Sequence, residues 1–375
     1  MNAVDLLTLL VGSLLPSALV SFAAGFLVRR WANRWGLVDQ PNARKVHVSP
    51  VPLGGGLAIW LGVSLPLLAA CAVGTLAAGR FEDWLPSVVS NNVEGIQSKA
   101  GDVAWLWLCG TLLMALGLGD DRQGLDWRLR LGVELAVAGL VVATGWRFSL
   151  FLEMPWLTGG LTIFWIVALV NSFNMLDNMD GLSSGVAVIS CSILACVVLL
   201  VPEAPQRSPQ WFVAGFLLVL VGALLGFLWH NRTPSRLFMG DAGSYFIGYW
   251  IALSTILATF ANRDLPPHTI LAPLCILAVP LYDMTTVIVI RLYQGRSPFQ
   301  ADKNHFSHRL TMLGMTRRQA VWTIYLTTFT TGLAGVILYQ AVNWWQAGLT
   351  LMLVFCILLL IALLELAAQR KGKDE

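Results

Sequence analysis

The sequence predicts an all-α integral membrane protein that crosses the bilayer about eleven times, with its N-terminus outside and its C-terminus in the cytoplasm. Three observations carry that expectation. Hydrophobic residues make up 57% of the 375-residue chain and charged residues only 12%, against roughly half and a quarter in a soluble domain. The apolar residues come in blocks long enough to span hydrocarbon. The basic residues fall unevenly between alternate loops.

In order, the blocks lie at about 6–28, 53–78, 103–119, 129–144, 157–173, 182–201, 211–229, 242–260, 269–293, 320–339 and 347–368. Glycine or proline inside several of them is tolerated in membrane helices, where other groups satisfy the freed backbone. Met1 to Asp5 carries no basic residue, and basic residues follow the first block instead. The start is therefore expected to be a span and not a cleavable signal. Loops sharing a side with the C-terminus hold nineteen of the 24 Lys and Arg, which by the positive-inside rule makes that side cytoplasmic. The whole chain reads as one multi-pass domain, with inner loops at about 29–52, 119–130, 171–182, 230–244 and 291–319.

All six cysteines (Cys71, Cys109, Cys191, Cys196, Cys275, Cys356) lie in apolar blocks, and none forms a C-x-x-C pair. Helix packing is the reading, not disulfides or zinc. A net charge of +3 is too small to suggest nucleic acid. The motif-like polar stretches all fall on the basic face. A channel or transporter is expected to carry polar groups through the bilayer middle or on both faces, so the pattern favours chemistry at one membrane surface.

The central stretch is 171–181, between two apolar runs. Asn171, Asn174, Asp177 and Asp180 recur every three residues, which places them on one face of a helix or tight turn. Carboxylates at a membrane boundary are expensive unless they serve a function. Amides and carboxylates without Lys or Arg in the stretch suit a hard cation carrying phosphate oxygens. A polar helix cap is the plainer alternative.

Four other inner stretches join it. The first loop offers Lys45 and His47 to phosphate, followed by prolines and Gly54, Gly55 and Gly56. Asp120 and Asp121 close the third block as adjacent like charges, an arrangement that calls for a cation, an arginine or a proton. Asp241 opens the eighth helix, where it caps the helix or holds a metal ion. Asn231 precedes it, and Phe238 either stacks on a planar base or packs in the core. The last inner loop holds Arg291, Arg296, Asp302, Lys303, His305, His308 and Arg309. Two imidazoles three apart resemble a zinc half-site, but no further zinc-type ligand is near in sequence, so phosphate handling is preferred. Neither G-x-x-x-x-G-K-[ST] nor G-x-G-x-x-G occurs. Carboxylates, a divalent ion and basic groups on one surface are the parts of a phosphoryl-transfer site.

In this order on one membrane face, these stretches resemble the polyprenyl-phosphate N-acetylhexosamine-1-phosphate transferases of the MraY/WecA type. The resemblance runs from the first inner loop to the histidine-containing loop. It implies transfer of an N-acetylhexosamine phosphate from a UDP-sugar to a polyprenyl phosphate, releasing UMP, at the cytoplasmic face of the bacterial inner membrane. It implies Mg²⁺, with Mn²⁺ as a substitute, on Asp241, and Asp120 and Asp177 as further candidate ligands. Asp120 and Asp121 would bind or activate the lipid phosphate, with Arg130 beside it. Asn171, Asn174, Asp177 and Asp180 would position the nucleotide sugar, with Phe238 against uracil and Asn231 nearby. Lys45, His47, His305, His308 and Arg309 would contact phosphates. The implied partners are a UDP-N-acetylhexosamine, a polyprenyl phosphate and the membrane, with a homodimer as an option.

The first loop's Ser-Pro-Val-Pro-Leu-Gly-Gly is similar to the branch that uses a plain UDP-N-acetylhexosamine, and N-acetylglucosamine is the expected sugar. UDP-GalNAc, UDP-QuiNAc or UDP-FucNAc, and UDP-MurNAc-pentapeptide are the alternatives within the reaction. A transporter or flippase of a phosphorylated lipid or sugar is the alternative of another class. Five positions, in three places, depart from the family pattern. Asn178 stands where Gly is usual, and Ser307 where the middle histidine of a cluster is usual. Arg128, Arg130 and Glu134 replace Lys, Lys and Gln, so that Glu134 adds a negative charge near the lipid phosphate.

Overall fold

In the computed structural model, the chain is described over residues 3–40, 50–76, 90, 93–150, 154–199, 209–258, 260, 265–300, 302 and 304–374. Lys45, His47 and Lys303 lie outside these residues. The described helices are α1 (Ala3–Trp35), α2 (Gly55–Leu76), α3 (Val93–Gln123), α4 (Trp127–Ala143), α5 (Pro155–Leu176), α6 (Leu182–Leu199), α7 (Trp211–Asn231) and α8 (Gly240–Leu257). A 3₁₀ turn, Pro267–Leu271, then leads into α9 (Ala272–Ile276), α10 (Ala278–Tyr293), α11 (Phe306–Met312), α12 (Arg317–Gln340) and α13 (Trp344–Asp374). Two short antiparallel strands, Val38–Asp39 and Val51–Pro52, pair Val38 with Pro52 and Asp39 with Val51.

Eight of the described helices are long and apolar enough to cross a membrane, and there are nine spans if one bent pair is taken together. The chain is thus a polytopic helical membrane protein. The two expected spans outside that set are α4, with 17 residues, and α8, with 18 and Asp241 in its first turn.

The expected span 269–293 is not one straight helix. It is broken between α9 and α10, and the two halves are bent by 71°. Pro280 has no N–H to give the Ile276 carbonyl, so the ladder fails there. The Ser190 hydroxyl of α6 donates to that carbonyl at 3.3 Å, which satisfies the freed acceptor inside the bundle. The segment between α10 and α12 also holds a helix, α11, that hydropathy gave no reason to expect.

Helix α8 is the axis of the fold. Every residue from Ala242 to Thr255 is buried, as expected for a helix surrounded on all sides. It packs against α2, α3, α5 and α7. At the other extreme, α13 exposes Leu349, Met352, Leu353, Phe355 and Leu360, a surface suited to lipid. Local signals set two helix starts. The Asp126 carboxylate caps α4 by accepting the Arg128 N–H at 2.9 Å, and Thr316 with Gln319 forms a capping box at α12. The ends that carry the polar motifs (α3, α5 and α7 at their C-termini, α8 at its N-terminus) gather at one end of the bundle.

Candidate active site

The site begins where α3 ends against the start of α8. Helix α8 has no capping side chain of its own at Met239. Asp121, 120 residues away in sequence, supplies the missing acceptor. Its two oxygens receive the Asp241 N–H at 2.8 Å and the Ala242 N–H at 3.2 Å. A carboxylate suits the positive end of a helix and its unpaired N–H groups. Two glycines permit the approach. Gly240 has φ +72°, and a Cβ there would lie 2.4 Å from the Asp121 carboxylate. A Cβ on Gly117 would lie 2.4 Å from the Asp241 carbonyl oxygen.

With its backbone fixed in this way, Asp241 presents its side chain to two neighbours. Oδ1 accepts from Asn174 Nδ2 at 2.6 Å, and Oδ2 lies 3.9 Å from Arg130. Asn174, in the last turn of α5, also donates to Ser244 Oγ at 3.1 Å. Arg130, in the first turns of α4, reaches Asp120 Oδ2 at 2.6 Å. Asp120 accepts the Leu125 N–H at 2.6 Å through Oδ1 and the Tyr245 hydroxyl at 3.4 Å through Oδ2. The result is a continuous chain, Asp120–Arg130–Asp241–Asn174. Its members differ in access: the Asp120 side chain is 5% exposed, Asp241 31% and Arg130 28%. Asp241 is the carboxylate that a ligand can reach.

Asp177 ends α5 and is half-buried. Among the described residues its carboxylate has no hydrogen-bond or salt-bridge partner. Burial pushes its pKa up to about 7, and the charges of Asp121 and Asp180 add to the rise. Asp180 accepts the Ser235 N–H at 3.1 Å. Asn231 clamps the same turn to the loop before α8. Its Oδ1 accepts the Gly181 N–H at 2.9 Å, and its Nδ2 donates to the Leu237 carbonyl at 3.0 Å. Phe238 is half-buried, and its backbone pairs with the residues that lead into α2. Phe238 N–H donates to the Pro52 carbonyl at 2.9 Å, and its own carbonyl accepts the Gly55 N–H at 2.9 Å. The proline- and glycine-rich segment is thereby held two or three residues from Asp241.

Helix α11 completes the surface. The Ser307 hydroxyl donates to Asn178 Oδ1. These are two of the positions that depart from the family pattern, and the fold brings them into contact. His305 and His308 have ring centroids 6.2 Å apart, and His305 Nδ1 lies 3.0 Å from Asp283.

Two expected site residues have other occupations. Asn171 donates to Glu134 Oε2 at 2.5 Å and to the Val167 carbonyl at 3.0 Å, so it joins α5 to α4 and does not join Asn174 at Asp241. Glu134, nearly fully buried, is answered by that amide. Arg309 is 2% exposed, with Nε 3.0 Å from Glu365, a hydrogen bond to Thr286 at 2.9 Å and another to the Asn304 carbonyl. Sequence reading missed Tyr245, Ser244, Asp283 and Glu365, and also Tyr325 of α12, whose hydroxyl donates to the Gly181 carbonyl. Asp283 and Glu365 carried a usable signal, being lone carboxylates inside apolar blocks. Tyr245 lies one helical turn from Asp241.

Among the described residues no three His, Cys, Asp or Glu side chains form a metal cage. A Mg²⁺ ion does not need one, because it keeps waters and takes one or two carboxylates plus substrate phosphates. The open Asp241 and the unpartnered Asp177 fit that donor set. The one guanidinium at salt-bridge distance from these carboxylates, among the described residues, is Arg130, so negative charge is in excess.

With this geometry in view, residues 103–259 match the model of glycosyl transferase family 4. A Bacillus subtilis protein named probable undecaprenyl-phosphate N-acetylglucosaminyl 1-phosphate transferase is 31% identical over 92% of this chain and 87% of its own length. The decaprenyl-phosphate N-acetylglucosaminephosphotransferase of Mycolicibacterium smegmatis is 31% identical over 96% of this chain and 89% of its own. The undecaprenyl-phosphate alpha-N-acetylglucosaminyl 1-phosphate transferase of Escherichia coli K12 is 29% identical over 83% and 79%. These near-full-length matches, two of them at 31% identity, mean that the chain belongs to glycosyl transferase family 4.

Proposed function

We propose that the protein transfers N-acetylglucosamine 1-phosphate from UDP-N-acetylglucosamine to a polyprenyl phosphate, releasing UMP and starting a cell-envelope glycan. The observation that carries this reading is the open Asp241 carboxylate, joined to Asp120 through Arg130 and to Asn174, amid surplus negative charge where four helix ends meet. The names of the relatives support the sugar phosphate and the lipid acceptor. We read the chain as eleven spans, counting α4, α8 and the bent pair, with the N-terminus outside. The site then faces the cytoplasm of the bacterial inner membrane, as the basic loops require.

Both reactants are anions, so the barrier lies in bringing them together. Asp241, with Asp177, would hold Mg²⁺, which when bound supplies charge neutralisation between the two phosphates. Arg130 is held by Asp120 and offers a fixed guanidinium to a phosphate oxygen. Asp120 has both oxygens engaged, which suits a positioning role. The lipid phosphate is already ionised and needs no base to become a nucleophile. Asn231 and Asp180 lock the turn that carries Asp177, so that the reactants meet preoriented groups. Asp121 serves by fixing the backbone under Asp241.

The test uses purified protein, polyprenyl phosphate, Mg²⁺ and a panel of UDP-sugars, with UMP release and the mass of the lipid product as readouts. Lipid-linked GlcNAc phosphate that disappears with EDTA is expected. Substrate binding without UMP release would make the protein a carrier and overturn the proposal.

A further inference from the structure

Outside the carboxylate cluster, a second constellation lies at the same end of the bundle. Asp283 is fully buried in α10, and both of its oxygens have partners at the start of α11, where His305 is the cap residue. Oδ2 faces His305 Nδ1 at 3.0 Å, and Oδ1 accepts the Phe306 N–H at 2.5 Å. A carboxylate only accepts, so the hydrogen between Asp283 and His305 sits on Nδ1. That leaves Nε2 as the ring nitrogen for a ligand. Among the described residues Nε2 has no protein partner, and 10% of the His305 side chain stays open.

The position of α11 gives this orientation a purpose. Two residues beyond His305, Ser307 is bonded to Asn178 in the turn that carries Asp177 and Asp180. The surrounding charges are matched to one another. Glu365 takes Arg309 at 3.0 Å and the Tyr282 hydroxyl at 2.8 Å, and Arg291 takes Asp302 at 2.9 Å. Asp283 alone of these carboxylates holds an imidazole.

We propose that Asp283 is the positioning residue for His305, holding a hydrogen on Nδ1 and fixing the ring direction so that Nε2, protonated when the anion is bound, donates to a phosphate oxygen of the nucleotide sugar at the 177–181 turn. The role of the phosphate rests on the transferase reading above, whereas the tautomer does not. A carboxylate that orients a functional imidazole is worth on the order of 10- to 100-fold in activity. A residue that only anchored α11 would act independently of His305.

The test is a double-mutant cycle in the full-length protein, joined to a spectroscopic readout. Asp283→Asn keeps the shape but has one acceptor where two are used. It is expected to lower kcat by about 10- to 100-fold with little change in KM for UDP-N-acetylglucosamine. In a His305→Gln background the same change is expected to add no further loss. No loss from Asp283→Asn, or an equal loss in both backgrounds, overturns the proposal. The chain has five histidines, so ¹⁵N-histidine spectra of the unsubstituted protein, assigned with His305→Gln, report the tautomer directly. Hydrogen on Nδ1 is expected, and a bare Nδ1 overturns the proposal even if Asp283→Asn does not fold. Absence of UMP from the unsubstituted enzyme would instead defeat the transferase reading and leave this measurement readable.

Discussion

The carboxylates around α8 and the charges around α11 lie at the same end of the bundle but are treated differently. Around α11 each buried guanidinium has a carboxylate beside it. Arg309 and Glu365 pair with side chains 2% and 6% exposed, and Arg291 and Asp302 with 6% and 8%. Burial pushes the Asp302 carboxyl up, yet hydrogen bonds from Arg291 and the Asn304 N–H outweigh it and hold it below the usual carboxylate range. Around α8, Asp120, Asp121, Asp177 and Asp241 share a single guanidinium at salt-bridge distance among the described residues. There Asp177 rises to about 7, because burial is reinforced by like charges. The difference separates two uses of charge near hydrocarbon. Matched, sealed pairs hold helices in place, whereas an unmatched, reachable surplus is suited to a cation and its phosphates.

Substitutions break this contrast in graded ways. The largest effect is expected from Asp241→Ala, which removes the reachable carboxylate. UMP release should fall by at least about 10³-fold, the scale of losing a principal electrostatic stabiliser. Thermal unfolding in detergent should barely move. A cooperative loss of fold instead would return Asp241 to the structural class.

Glu365→Ala should do the reverse. It strands the Arg309 guanidinium in a buried place, which typically costs about 3–5 kcal/mol. Unfolding should shift strongly, while the residual folded enzyme keeps its KM. Replacing both partners, as Arg309→Met with Glu365→Leu, should recover much of that stability.

Gly240→Ala tests the seam between the two helices. The left-handed backbone costs a non-glycine residue about 1–2 kcal/mol, and the added Cβ pushes on Asp121. Stability and turnover should both fall, with turnover falling further than in Gly124→Ala. Gly124 has φ +67° but open space around it.

The smallest effect concerns the contact that links the regions. Ser307→Ala and Asn178→Ala should each lower activity modestly. Their coupling in a double-mutant cycle should be about 0.5–1.5 kcal/mol, the net value of one hydrogen bond. Additive effects would mean that α11 is held at the turn by other contacts.

Composition and hydropathy were enough to read a helical membrane protein, and the resemblance carried by the order of the motifs was enough to read the family. These are properties of contiguous segments, and lipid imposes them segment by segment. Partner choice was not readable, because it is made between segments remote in the chain. Nothing near Asp121 announces that it caps a helix 120 residues on. Nothing near Asn171 says that it meets Glu134 on another helix while Asn174 meets Asp241. Arg309 read as one more cation in a basic loop until Glu365, on the last helix, was seen to bury it. The break at Pro280 was visible as a proline, but only the hydroxyl of Ser190 makes the bend tolerable inside the bundle. A polar atom shielded from water must find whichever partner packing brings to it, and that partner is selected by the three-dimensional arrangement of helices, which no single stretch of residues encodes.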